Sequence, residues 1–170
     1  MFMLYQTGEH MTHPIFQIKA LLSQDDFIHY ATDITAHLVN SYPDFPRWFA
    51  KVASELPSPD RKAYVALVGE QVAGITIFKK GDENKICTLY INDHFQGLGI
   101  GSAFMTLIKD YYAGEYCNVT IAEDIFLSCS GFFTKNDFII TQVFNGINMP
   151  ERFSGEYIPN KKELQLTCYL

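Results

Sequence analysis

The sequence predicts an α/β fold of the α+β kind, a mixed and mostly antiparallel central sheet flanked by helices. Three observations lead there. Between Ala63 and Ile91, three short runs rich in β-branched and aromatic residues (AYVALV at 63–68, VAGITIF at 72–78, KICTLYI at 85–91) are separated only by turn residues around Gly69-Glu70 and Gly81-Asp82, the pattern of an antiparallel meander. On either side, apolar residues recur at helical spacing: Phe27, Ala31, Ile34 and Leu38 before the meander, and Ile100, Phe104, Leu107, Ile108 and Tyr111 after it. The segment 163–170 (ELQLTCYL) alternates and reads as a strand that closes the sheet.

The other elements follow in order. Ile15 to Leu22 is an apolar-rich run that predicts a first strand. Ser23 and Asp26 stand at capping-box spacing and start a helix, which Tyr42-Pro43-Asp44-Phe45-Pro46 breaks. A second helix runs from Arg47 to Leu56, burying Phe49, Val52 and Leu56, and ends at Pro57-Ser58-Pro59-Asp60. The helix opening at Ile100 ends at Gly114. Asn118 to Ala122 predicts a strand, Phe126 to Asn136 a helix, and Phe138 to Val143 a strand. Residues 144–160, punctuated by Gly146, Pro150 and Pro159, predict a long loop. Residues 1–10 read as a flexible N-terminal extension and residues 11–170 as a single domain without internal repeats.

Composition narrows the function classes. With 48% hydrophobic and 19% charged residues, the 170-residue chain is too apolar for a disordered one. Thirteen basic against nineteen acidic residues give a net charge of −6, which argues against nonspecific nucleic-acid binding, since phosphate needs a basic surface. The apolar start Met-Phe-Met-Leu-Tyr lacks the basic flank of a signal peptide, and no apolar run approaches the roughly 18 residues of a membrane span. Cys87, Cys117, Cys129 and Cys168 form no C-x-x-C pair, so the expectation is reduced, mostly buried thiols in a cytoplasmic protein. His10 and His13 have H-x-x-H spacing but fall in the extension, and no metal site is assigned.

One motif carries chemistry. Gln96-Gly97-Leu98-Gly99-Ile100-Gly101 lies between a strand and a helix, followed by Ser102. Glycines let the backbone turn tightly and approach a ligand, and the free N–H groups and dipole of a helix start then face an anion. A Walker loop is ruled out, because no Gly-Lys-Ser/Thr is present. A dinucleotide fingerprint fits poorly, because Ser102 replaces its third glycine and an antiparallel meander precedes it. A plain glycine turn capping an ordinary helix has the same spacing.

Residues 63–138 resemble the Gcn5-related N-acetyltransferase (GNAT) superfamily. Gln96-Gly97-Leu98-Gly99-Ile100-Gly101 matches its Q/R-x-x-G-x-G/A hallmark, Leu89 to Phe95 its preceding strand and loop, Val68 to Gly74 its second hairpin, and Phe132 to Phe138 its later F-Y-x-K-x-G-F segment. The resemblance implies the GNAT fold, with two parallel strands that splay at the acetyl-CoA site. It implies acetyl-CoA bound on Gln96, Gly97, Leu98, Gly99, Ile100, Gly101 and Ser102, with the pantetheine arm along Leu89, Tyr90 and Ile91 and in the gap beside Asn118 to Ala122. The helix from Phe126, with Phe133, would flank the thioester. The implied activity is direct acetyl transfer, in a ternary complex, to a primary amine of a small molecule or peptide. The implied assembly is a monomer or homodimer, without membrane or nucleic acid. The alternative is a CoA-binding regulatory module without turnover.

The chain departs from the family at the catalytic groups. Phe133 occupies the position of the usual tyrosine acid, Asp137 that of a glycine, and Phe126 that of a frequent asparagine. Ser130 and Cys129, one helical turn earlier, share the face of Phe133; they are either substitute acids or small packing residues. Where relatives often carry Glu or His, the strand has Lys85, Cys87 and Thr88. Glu83 is the nearest carboxylate and the candidate base, with Glu123 and Asp124 as others and His94 a loop residue. His29, Tyr30, Tyr42, Trp48 and residues 144–160 fall on the side that builds the acceptor site, where Asp26, Asp33 and Asp44 either receive a cationic amine or are surface charges.

Overall fold

The computed structural model describes residues 2–5, 16–40, 44–145 and 162–169. In chain order the elements are β1 (Phe2–Tyr5), β2 (Phe16–Ala20), α1 (Gln24–Thr35), a 3-10 turn (Ala36–Asn40), α2 (Phe45–Ser54), β3 (Arg61–Val68), β4 (Gln71–Lys79), β5 (Lys85–Ile91), a second 3-10 turn (Asp93–Phe95), α3 (Ile100–Tyr112), β6 (Tyr116–Ala122), α4 (Glu123–Lys135), β7 (Ile139–Asn145) and β8 (Lys162–Tyr169). Among the described residues, eight strands form one sheet in the order β1-β2-β3-β4-β5-β6-β8-β7. Every neighbouring pair is antiparallel except β5 and β6. The mixed, mostly antiparallel sheet flanked by helices is therefore the observed architecture.

Side-chain alternation places one helical layer on each face. Ala63 and Val65 of β3, with Ile75 and Ile77 of β4, pack with Phe27, Ala31 and Ile34 of α1 and Val52 and Ala53 of α2. On the other face, Ala66 of β3 meets Ile100, Ala103 and Phe104 of α3, while Cys117, Val119 and Ile121 of β6 share a core with Phe133 and Phe138 at the end of α4. β4 is enclosed on both sides, so Ala73 to Phe78 are buried without a break.

Local signals account for most boundaries. The Ser23 hydroxyl accepts from the Asp26 amide at 3.1 Å, so the expected cap is made and α1 starts there. α2 begins at Phe45, two residues ahead of the expected Arg47, because Pro46 sits in its first turn, where the missing N–H has no helical partner to lose. α4 follows β6 at once and so begins at Glu123 rather than Phe126. On α3 the fully buried tyrosine is Tyr112, not Tyr111: its hydroxyl donates to the Lys79 and Lys85 carbonyls at 2.5 and 3.2 Å and ties the helix to the β4–β5 hairpin. Part of the expected N-terminal extension is strand. Phe2–Tyr5 pair with β2 from Phe2↔Lys19 to Tyr5↔Phe16, since an apolar, β-favouring segment satisfies the outer backbone edge of β2. His10, His13 and most of the expected 144–160 loop lie outside the described residues.

The four cysteines are free thiols; Cys117 and Cys168 are buried, Cys87 and Cys129 half-buried. Burial pushes the Cys117 thiol up to about 12, and burial raises the neighbouring Tyr112 as well. The folded protein holds the Cys117 proton where the unfolded chain releases it, so the stability this proton supports is complete below pH 9 and is lost as the pH climbs from 9 to 12. The expected slope is about 1.4 kcal/mol per pH unit for that one proton. Urea midpoints measured from pH 8 to 11 should fall above pH 9, and Cys117→Ala should flatten the curve; equal curves for the two proteins would contradict this origin.

Candidate functional site

The site starts from a failure of strand pairing. β5 and β6 are in register only at Lys85↔Asn118 and Ile86↔Val119. Beyond these pairs β5 continues with β4 to Gly74↔Ile91, and β6 continues with β8 to Ala122↔Glu163. A wedge therefore opens between Cys87–Ile91 and Thr120–Ala122, and the β5 backbone edge that faces it has no ladder partner. A bulge sits at its closed end. Ile77 pairs with Thr88 but Phe78 pairs with Ile86, leaving Cys87 as the extra residue. The far end of β5 is held against β4 by a missing side chain, for a Cβ on Gly74 would meet Ile91 Cδ1 at 2.7 Å and the Tyr90 carbonyl at 2.9 Å.

The glycine motif follows at the open end of the wedge. The Asn92 amide donates to the Ala73 carbonyl at 2.9 Å, its side chain accepts from the His94 amide at 3.0 Å, and Gln96 Nε2 donates to Asp93 Oδ1 at 2.8 Å. This holds the turn before the glycines. Gly97 and Gly99 then take φ values of +81° and +84°, left-handed conformations that a side chain resists. Gly99 caps α3 without a side-chain hydrogen bond, and the first helical bond runs from the Ala103 amide to its carbonyl at 3.0 Å. The amides of Ile100, Gly101 and Ser102 are thus first-turn donors with no carbonyl behind them in the helix. No acidic residue lies in that turn, so the positive end of the helix dipole is uncompensated. Leu98 and Ile100 anchor the turn in the core beside Phe104, and Gly101 lets α3 approach α4, since its Cβ would stand 3.2 Å from the Phe132 ring. The arrangement fits the phosphate of a nucleotide cofactor.

Leu89, Tyr90 and Ile91 are half-buried along the wedge; Leu89 and Ile91 pack toward α3, and Tyr90 toward α1 and α2. The candidate catalytic groups are less well placed. Glu83 lies in the β4–β5 turn, at the opposite end of β5 from the glycines, its carboxylate 3.9 Å from Lys79 Nζ and 3.8 Å from Lys85 Nζ. Four residue steps of chain, about 13 Å if extended, lead from it to the bulge. The Ser130 hydroxyl donates back to the Leu127 carbonyl at 3.3 Å, and the Cys129 thiol donates to the Ile125 and Phe126 carbonyls at 3.4 and 3.6 Å. Burial pushes the Cys129 thiol up, so it is protonated at neutral pH. Phe133 is buried in the core, edge-on to both Phe132 and Phe138 at 5.3 Å. α4 turns this position onto β6 and β8, where it shares a core with Val119, Ile121 and Leu166. Glu123 and Asp124 open α4 where β6 ends, and His94 is exposed in the second 3-10 turn.

On the opposite face, Asp26 is paired with Lys19 of β2 at 3.1 Å, whose hydrogen bond holds the carboxyl below its usual range. Lys19 also stands over the Tyr30 ring, 4.2 Å from its centroid. Tyr30 meets His29 edge-on at 4.5 Å, and Trp48 packs on Phe45 at 5.5 Å. Asp33 is exposed, Asp44 precedes α2, and Tyr42 lies outside the described residues. Two contacts escape sequence reasoning. Arg61, held by Glu55 at 2.7 Å, reaches the Cys87 sulfur at 3.8 Å, and the His37 ring meets Tyr90 at a tilt of 42° with centroids 4.4 Å apart. Nothing local in the chain signals either one, since both join residues from distant segments. Among the described residues no group of three or more His, Cys, Asp or Glu side chains is positioned to hold a metal, and no helix is long and apolar enough to cross a membrane.

The whole-chain arrangement is that of solved acetyltransferases. It superposes on the IAA acetyltransferase from Bacillus cereus ATCC 14579 with a TM-score of 0.66 and 18% identity, covering 91% of this chain and 99% of that one. For the ribosomal-protein-S18-alanine N-acetyltransferase from Escherichia coli the TM-score is 0.67 and the identity 13%, over 89% of this chain and 92% of that one. A GNAT family acetyltransferase from Elizabethkingia anophelis, solved with acetyl-CoA bound, is similar at a TM-score of 0.53 and 16% identity, over 100% and 97%. No curated protein sequence matches the chain. The chain belongs to the acetyltransferase (GNAT) family, whose model matches residues 25–128.

Proposed function

We propose that this protein is an acetyl-CoA-dependent N-acetyltransferase that moves the acetyl group to a primary amine of a small molecule or peptide by direct attack in a ternary complex. The observation that carries the reading is the glycine turn, with its free first-turn amides, at the open end of the β5–β6 wedge. The turn Gln96 to Ser102 holds the pyrophosphate through backbone N–H groups. The unpaired edge of Leu89 to Ile91 hydrogen-bonds the pantetheine amides. Bound there, acetyl-CoA supplies an acetyl thioester at the wedge. An N–H of the bulged segment at Cys87 and Thr88 faces the negative charge that develops on the acetyl oxygen.

The acceptor must be neutral to attack. At a pKa of about 10.4, deprotonating a lysine-like amine at pH 7 costs about 4.6 kcal/mol. Glu83, the nearest protein carboxylate along β5, is shared by Lys79 and Lys85, so water relays that proton from the acceptor. The departing thiol, with a pKa of about 8.5, leaves near neutral pH without a dedicated acid. The protonated Cys129 thiol and the Ser130 hydroxyl are the nearest substitutes for the missing tyrosine. The protein works in the cytoplasm, where its four free thiols remain reduced, as a monomer or homodimer. Residues 11–170 act as one domain, with Phe2–Tyr5 extending its sheet.

Calorimetry tests the reading. Acetyl-CoA should bind in the micromolar range, one molecule per chain; no binding at millimolar acetyl-CoA would sink the proposal. A second reading, a CoA-binding module without turnover, draws on the buried Phe133 and on Glu83 being shared by two lysines. Tight binding with no thiol release above hydrolysis, across amino acids, polyamines, amino sugars and peptides, would select it.

A further inference from the structure

Beside the wedge, β6, β8 and β7 present a face that α4 does not cover. Cys117, Val119 and Ile121 point into the core with α4, so alternation turns Asn118 and Thr120 to the opposite face, the one that α1 and α2 occupy over β3 and β4. The register extends these positions into two polar rows. Asn118 stands opposite Thr167, whose hydroxyl donates to Asn118 Oδ1 at 2.6 Å and lies 3.1 Å from the Thr141 hydroxyl. Thr120, at the wedge, stands opposite Gln165, which stands opposite Gln142 of β7. At roughly 4.8 Å per strand, the second row runs about 10 Å away from the wedge. The groups in both rows are hydroxyls and carboxamides, able to donate and accept, and uncharged.

The charged groups near the closed end of the rows are already engaged. Lys85 pairs with Asn118, Arg61 lies near Cys87 and is held by Glu55, and Glu83 lies between Lys79 and Lys85. Glu163 stands opposite Ala122, one row beyond Thr120 and Gln165 on the same face. Along the second row itself, an uncharged polar body finds hydrogen-bond partners.

We propose that the body of the acceptor lies along Thr120, Gln165 and Gln142, and that the substrate class is a primary amine carried on an uncharged hydroxyl- or carboxamide-bearing body rather than on a bare alkyl chain. This rests on the transferase reading above. The row selects by hydrogen bonding, because an acceptor that covers the half-buried Thr120 and Gln165 without matching them leaves those groups unpaired.

The test compares glucosamine and serinamide with spermidine and butylamine, following thiol release. The polar amines should show kcat/KM at least tenfold above the other two. Thr120→Val, Gln165→Leu and the exposed Gln142→Leu should each reduce that preference about three- to tenfold through KM for the acceptor, with KM for acetyl-CoA unchanged. Thermal melting verifies that each variant folds, and Gln142, on the exposed edge strand, remains a folded test if the other two do not. Equal or better turnover of spermidine or butylamine overturns the inference, and so does a preference that survives all three changes. Loss of acetyl-CoA binding by the unaltered protein would overturn the transferase reading itself; binding with no acetylation of either polar amine overturns only the acceptor class.

Discussion

Gly99→Glu is expected to weaken acetyl-CoA binding at least 100-fold while leaving the protein folded. Gly99 holds φ at +84°, and its carbonyl receives the first hydrogen bond of α3. A side chain there carries left-handed strain of about 1–2 kcal/mol, small against the 5–15 kcal/mol of a typical domain. The new carboxylate also stands at the helix N-terminus, where it suits the dipole and the first-turn amides. It therefore occupies the donors that would hold a pyrophosphate and adds repulsion to an anionic ligand. A 100-fold loss corresponds to about 2.7 kcal/mol, within reach of removing two charge-assisted hydrogen bonds. Calorimetry reads the affinity and circular dichroism the fold. Unchanged affinity would move the cofactor site away from this turn.

Phe104→Ala is expected to destabilise the fold by about 3–5 kcal/mol, because truncating a buried aromatic removes its transfer energy and leaves a cavity. Phe104 is fully buried between α3 and the sheet, with Phe16 and Ile18 of β2, Ala66 of β3, Ala73 of β4 and Ile100. A Cβ on Gly74 would stand 3.3 Å from its ring, so the ring sits where β4 and β5 come closest. The same contact orients α3, and with it the first-turn amides. Urea unfolding should show a lower midpoint at similar slope, and saturating acetyl-CoA should restore part of it, about 2.7 kcal/mol at a hundred times the Kd. A loss below about 1.5 kcal/mol would mean that the layer around Phe104 closes over the gap.

The two variants differ in how far the sequence alone discloses them. Gly97 and Gly99 are legible because their demand is local: positive φ at two nearby positions, just before an apolar helical stripe, leaves few residue choices. Ser23 and Asp26 are legible for the same reason, as the cap they predict spans three residues and needs no distant partner. The strands of the meander are legible from their apolar, β-branched runs and short turns, and the face of α1 from its period. Phe133 marks where such reading stops. The resemblance gives its place on the helix, but that its ring packs edge-on against Phe132 and Phe138 in the core is decided by the fold. Cys87 is another case: its bulge exists only in the register of β4 against β5, and Arg61, 26 residues earlier, reaches it only in the folded protein.

What the sequence by itself determined is the chemistry carried by short segments: the order and type of the helices and strands from β2 onward, the capped start of α1, and a glycine turn suited to an anion at a helix start. Backbone stereochemistry and side-chain period decide these within a few residues. Only the tertiary structure decided where β5 and β6 part, which residue is squeezed out as the bulge, and which polar side chains line up from Thr120 across β8 to β7. Those are registers between segments far apart in the chain, set by which apolar faces must be buried together, and no local run of residues encodes them.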